Sequence, residues 1–138
     1  MRHVPLLVCG LLLGGCLDPQ TVPSGQINAP PPVGYREAVA EYVRTSFVDP
    51  YSVRDAAISR PFPIRHGLLG QDTVWYVCLR SNAKNRLGGY TGLDETPIAF
   101  RGNAVDVTKS DAVRTEMGGR TMCGPAVYEP FPEIEARG

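Results

Sequence analysis

The run Thr73–Arg80, TVWYVCLR, constrains the fold more than any other part of the chain. It is apolar on both parities: in an extended strand Val74, Tyr76 and Cys78 point to one side, and Trp75, Val77 and Leu79 to the other. A strand that buries both faces belongs inside a sheet with cover on each side, so this run is expected to be central. The segment YREAVAEYVRTSF supplies one covering element. Tyr35, Val39, Tyr42, Val43 and Phe47 recur at helical spacing, while Arg36, Glu37, Glu41 and Arg44 lie mostly opposite them. This spacing predicts an amphipathic helix with one core-facing stripe. The helix should stop by Val48, because Asp49 precedes Pro50 and is steered out of the helical region. A helix lying on a membrane would carry a more basic polar face and a wider apolar stripe.

Other elements follow from the punctuation. After the turn DPYS, the stretch Val53–Ser59 reads as a strand, and RPFPIRHGLLGQD, broken by Pro61, Pro63, Gly67 and Gly70, reads as a loop. PIAF, interrupted at Gly102-Asn103 before AVDV, reads as a strand with a bulge or as a tight hairpin. From Ser110, SDAVRTEMGG reads as a short helix with a serine cap and a glycine stop, a strand being the alternative. The closing PAVYEPFPEIEARG, with three prolines and three glutamates, reads as a poorly ordered tail, unless Tyr128 and Phe131 cover an apolar face. The expected architecture is α+β: one amphipathic helix packed on a small antiparallel sheet of three or four strands.

The chain opens MRHVPLLVCGLLLGGCLD, a basic flank at Arg2 followed by an apolar run of signal-peptide length. That run is shorter than the roughly 20 residues needed to span a bilayer core. Leu13-Gly14-Gly15-Cys16 resembles the lipobox of bacterial lipoproteins. The resemblance implies cleavage before Cys16, diacylglycerol on its thiol and acylation of the new amino terminus; an ordinary secreted protein, or a buried amino-terminal helix, is the competing reading. Several acyl chains at about 0.8 kcal/mol per buried methylene give an effectively permanent attachment. Leu17, rather than aspartate, after the cysteine resembles lipoproteins of the outer membrane, facing the periplasm. The implied organisation is a leader over 1–15, a lipidated cysteine and Pro-rich tether over 16–34, a domain over 35–124 and an acidic tail over 125–138. With five prolines and almost no charge, Leu17–Gly34 reads as an extended spacer; its Pro30-Pro31-Pro32 run suits an aromatic groove, but a plain tether is the commoner role.

Removing the leader leaves Cys78 and Cys123, which in an oxidising compartment are expected to form one disulfide. Closing that loop removes about 4 kcal/mol of chain entropy from the unfolded state. The full chain carries 14 basic and 14 acidic residues. This balance gives no reason to expect a nucleic-acid partner.

The loop SNAKNRLGGYTG, Ser81–Gly92, follows the central run and is the candidate binding site. Asn82, Lys84, Asn85, Arg86 and Tyr90, with backbone amides around Gly88 and Gly89, offer groups suited to an anion, a glycan or a carboxylate. A plain strand-connecting loop needs no more than these residues either. The sequence lacks the glycine order of nucleotide and dinucleotide loops. Asp49, Pro50 and Ser52, then Val77-Cys78, Asn82–Asn85 and Gly88–Gly92, resemble a group of small exported proteins and lipoproteins of proteobacteria. That resemblance spans most of the expected domain. It implies a shared fold and loop but carries over no catalytic residue and no cofactor.

Rival chemistries have little to stand on. Ser81 and Lys84 match a Ser-x-x-Lys pair only formally, without the partner motifs of penicillin-recognising enzymes. His66 stands alone in a Pro/Gly-rich loop with no second metal ligand at suitable spacing. Asp94 and Glu95 are adjacent and diverge on an extended chain, and Asp106 and Asp111 suit turns or caps. The expectation is a non-catalytic envelope lipoprotein, held to the membrane through Cys16, that binds an envelope protein or glycan. The alternative is a periplasmic inhibitor of a hydrolase such as a lysozyme or a protease. A small hydrolase using Ser81 or His66 comes third.

Overall fold

The computed structural model describes residues 29–66, 72–117 and 122–136. The expected leader, Cys16, most of the expected tether, residues 67–70 of the expected loop and the expected Gly118-Gly119 helix stop lie outside these residues. The architecture is α+β, with a sheet larger than the three or four strands expected. Six strands, β1 (Arg54–Ser59), β2 (Phe62–His66), β3 (Asp72–Asn82), β4 (Asp94–Arg101), β5 (Ala104–Val105) and β6 (Tyr128–Pro130), form one sheet in the order β5-β4-β3-β1-β6, with β2 also paired to β3. Every pairing is antiparallel.

β3 is the organising element. Its 11 residues are long enough to carry two strands end to end on one side, β2 from His66↔Asp72 to Phe62↔Tyr76 and β1 from Ile58↔Leu79 to Arg54↔Asn82. Both faces are covered, as the double apolar parity requires. On one side Val77 and Leu79 pack with Ile58, Ile98 and Phe100 beneath helix α1 (Tyr35–Ser46), which buries Val39, Ala40, Tyr42 and Val43. On the other side Tyr76, Ala99 and Val113 form a much smaller cluster, joined by the cystine. α1 ends as expected: Phe47 is extended, and its N–H donates to the Val43 carbonyl.

The Phe62–His66 segment, expected to be loop, is a strand. The Cys78 N–H donates to Ser59 Oγ at 2.8 Å, so even-numbered residues of β3 turn their backbone groups toward β1 and β2. Phe62, Ile64 and His66, opposite Tyr76, Val74 and Asp72, therefore face β3, and Pro63 sits where its nitrogen points outward and no ladder donor is missed. Pro97 is tolerated in β4 for the same reason: its neighbour Ala99 turns its N–H away from β3, toward Ser110 Oγ at 2.9 Å.

Gly102-Asn103 is a tight hairpin between β4 and β5, one of the two expected forms. The second helix, α2 (Val107–Met117), starts three residues before the expected serine cap. Asp106 is the cap, accepting from the Lys109 N–H at 3.1 Å, and that bond, with Arg101 beside it, holds its carboxyl below the usual range. Ser110 instead seals the outer edge of β4.

The segment expected to trail as a tail returns to the sheet. Tyr128–Pro130 pairs with Ala57–Ser59, Phe131 is fully buried, and the Glu135 carboxylate accepts the Ala56 N–H at 2.7 Å. That N–H is released by a β-bulge in β1, where Asp55 takes φ 55. Proline made the segment look structureless, yet short edge pairing and one buried ring suffice to dock it.

Candidate functional site

Ser81–Gly92 is a β-hairpin extension, with its shape fixed by its own side chains. Beyond the β3–β4 ladder, Lys84 bridges Tyr90, and Asn85 closes the tip: its N–H donates to the Gly89 carbonyl at 2.9 Å, and its Oδ1 accepts from the Leu87 and Gly89 N–H groups. Asn82 is buried at the base, its Oδ1 accepting from the Gly92 N–H at 3.1 Å. Gly88 and Gly92 take φ 79 and 88, and a Cβ at either would meet nothing within 4 Å. Backbone conformation, not space, selects glycine there. The amide oxygens of Asn82 and Asn85, two of the candidate contacts, are therefore engaged in building the loop.

Ser52 ties this hairpin to the DPYS turn. Its Oγ donates to the Asp49 carbonyl at 2.8 Å and accepts the Lys84 N–H at 2.9 Å. The two motifs that carry the family resemblance thus form one hydrogen-bonded unit. Arg86, Leu87 and Tyr90 are exposed, Leu87 at the tip to 95%, and Lys84 is half-buried. The structure adds Arg54, whose guanidinium carbon lies 3.6 Å from the centre of the Tyr90 ring, with the Lys84 ammonium 5.5 Å from it. A ring stacked by a cation does not present that face to a sugar. A shallow cleft of about 330 Å³ separates the hairpin from the end of α1, with Ser81, Thr91, Thr96, Lys84, Arg86 and Asp94 among its walls.

The opposite pole of β3 receives residues 29–33. The Trp75 indole N–H donates to the Ala29 carbonyl at 3.0 Å, the Val33 N–H donates to Asn103 Oδ1 at 2.9 Å, and Pro32 is buried. The last residues of the expected spacer thus dock beside an aromatic side chain. The seven residue steps from Trp75 to Asn82 put about 23 Å between this dock and the base of the hairpin.

Other sites offer less chemistry. An apolar cleft of about 590 Å³ lies between Pro61-Phe62 and Pro125–Val127, with the Arg60–Glu129 ion pair beside it. Ser81 is buried near the end of β3. Cys78 and Cys123 are disulfide-bonded, as expected. Among the described residues no group of three or more His, Cys, Asp or Glu is placed to hold a metal, and no helix is long and apolar enough to cross a membrane. Compared with protein-family models, with curated proteins and with solved structures, the chain matches none of them.

His66 has a structural partner. Its Nε2 lies 3.1 Å from the Tyr76 hydroxyl, and burial, with Lys109 nearby, holds its pKa below the ordinary 6.5. The unfolded chain therefore takes up a proton more readily than the folded one. This contribution to stability is fully present above the unfolded pKa and is lost as pH falls through 6.5 toward the folded value. Urea melts between neutral pH and about pH 5 should show wild type losing stability, with His66→Gln losing less. Parallel curves for the two proteins would contradict this.

Proposed function

We propose that this chain is a non-catalytic lipoprotein of the bacterial envelope, anchored through Cys16 in the outer membrane, that binds a periplasmic protein with the Ser81–Gly92 hairpin. Membership of the proteobacterial group resembled by its two motifs is part of the same proposal. The observation that carries the reading is the polarity of the domain: the tether docks at Trp75 and the preorganised, exposed hairpin stands at the other end of β3. Thirteen residue steps from Cys16 to Ala29 reach at most about 45 Å, so the hairpin is carried toward targets away from the anchoring bilayer. Leu87 and Arg86 at the tip are the groups expected to enter a partner, and the cation stacked on Tyr90 favours a protein over a glycan.

The test is capture of the full-length protein from cross-linked envelopes beside a variant with Arg86 and Leu87 replaced by alanine, together with intact-mass measurement of the membrane-extracted chain. A thioether-linked diacylglycerol at Cys16 and a partner lost from the variant are the expected results. An unmodified amino terminus removes the anchor, and equal capture removes the hairpin.

The inhibitor reading is favoured by the same hairpin, because a rigid tip with an apolar apex suits insertion into a cleft. It predicts that a lysozyme or a protease loses activity with the wild type and keeps it with Leu87→Asp.

A further inference from the structure

Arg54, Arg80 and Lys84 form a graded row of cations on the half of the sheet that lies beyond the small Tyr76–Val113 cluster. Tyr76 and Cys78 fix which face this is, and even-numbered residues of β3 share it. Arg80 is two positions beyond Cys78, Asn82 two further, and Lys84 continues the same parity, its backbone bridged to Tyr90. Arg54 stands opposite Asn82 across the β1–β3 pair. The three cations therefore sit at successive steps of about 6.5–7 Å along the strand, the repeat of alternate side chains in an extended chain.

Tyrosines hold the row in place. Arg80 lies 4.6 Å from the centre of the Tyr128 ring and Arg54 lies 3.6 Å from that of Tyr90. A guanidinium stacked on a ring keeps its in-plane donors free. Arg80 Nε is buried with no hydrogen-bond partner, and among the described residues no carboxylate forms an ion pair with Arg80 or Lys84. Glu95, the cross-strand neighbour of Arg80, acts on Tyr128 instead: burial and this carboxylate push the phenol above its ordinary range. Asp55 approaches Arg54 only to 3.8 Å, with both side chains more than half exposed, which is a weak contact.

We infer that this face binds an extended acidic segment of a protein, with alternate carboxylates meeting Arg80, Arg54 and Lys84 in turn. The inference rests on the proposed binding role of the neighbouring hairpin and adds the chemistry of the partner. Peptide is favoured over an anionic glycan because the Tyr90 and Tyr128 rings are each stacked by a cation and because the row repeats at the step of an extended chain.

The probe is a fluorescent seven-residue peptide of alternating glutamate and serine, measured by polarisation against the full-length protein in detergent, beside a peptide of the same composition with its glutamates in one block. The alternating peptide should bind more tightly, and binding should fall steeply between about 50 and 300 mM salt. Arg54→Gln and Arg80→Gln should each weaken it by about three- to fivefold. Arg54 is exposed, so its variant reports even if Arg80→Gln disturbs the fold. Equal binding of the two peptides, no effect of Arg54→Gln, or preferential binding of polygalacturonate would overturn the inference. If envelope capture depends on Leu87 but not on Arg54 or Arg80, the hairpin reading survives and this one fails; if capture depends on neither, both fail.

Discussion

Replacing Phe131 with alanine should destabilise the domain by about 3–5 kcal/mol, the cost of truncating a fully buried aromatic side chain. For a domain of this size, such a loss lowers the midpoint of thermal unfolding by on the order of 15–25 °C. The ring lies in the α1-side core, and Arg36 stacks on it at 4.9 Å while donating to the Pro130 carbonyl and to both oxygens of Glu133. That paired donation holds the Glu133 carboxyl below its ordinary range. Removing the ring therefore empties a core position and loosens the contact that draws the last residues onto α1. Val127→Ala serves as the control, since this side chain is 81% exposed four positions earlier and should shift stability by no more than about 0.5 kcal/mol. Equal melting of the two variants would mean that the closing segment contributes no core.

Removing the cystine with Cys78→Ala and Cys123→Ala should cost about 4 kcal/mol, most of it from chain entropy regained by the unfolded state. The effect is expected to be large because, among the described residues, the second face of the sheet buries only a small cluster. Among the described residues its buried cluster is Tyr76, Ala99 and Val113, with Phe62, Ile64, Val74 and Met122 partly buried against it, compared with thirteen buried residues beneath α1. The cystine, 0% and 1% exposed at its two ends, links the middle of β3 to the segment after α2. Urea titrations with and without reductant, equilibrated from the unfolded state, provide the measurement. Coincident midpoints would show that the smaller cluster holds without the bridge. Alanine is the appropriate replacement, because serine would leave a buried hydroxyl in need of a partner.

Much of the scaffold was legible because strong local patterns set it. The double apolar parity of Thr73–Arg80 required cover on both faces, and the spacing of Tyr35–Phe47 supplied half of that cover. Cys78 and Cys123 paired as expected. The errors share a cause in proline and bulge geometry. Pro63 marks a loop in sequence, yet it is harmless in β2 because its nitrogen points outward, a fact fixed only by the parity of Cys78 and Ser59. Pro125, Pro130 and Pro132 likewise disguised a segment that docks by short pairing and by Phe131. In the candidate site, the sequence shows that Asn82 and Asn85 are polar but not that their amide oxygens face inward to their own loop. Arg54 was missed because the bulge at Asp55-Ala56 changes the register, so no counting along the chain places it opposite Asn82 or over Tyr90.

The closing strap, residues 128–136, ties back to Arg36 in α1 and to Val53–Ser59 in β1. A ribosome makes those partners long before it makes Phe131, so during synthesis the α1 side of the sheet waits with an open seam. Contacts so distant in sequence form late and slowly, after the loop between them has been ordered. Any machinery that acts on the amino-terminal region before residues 128–136 have been made therefore meets a sheet whose α1 side is still open.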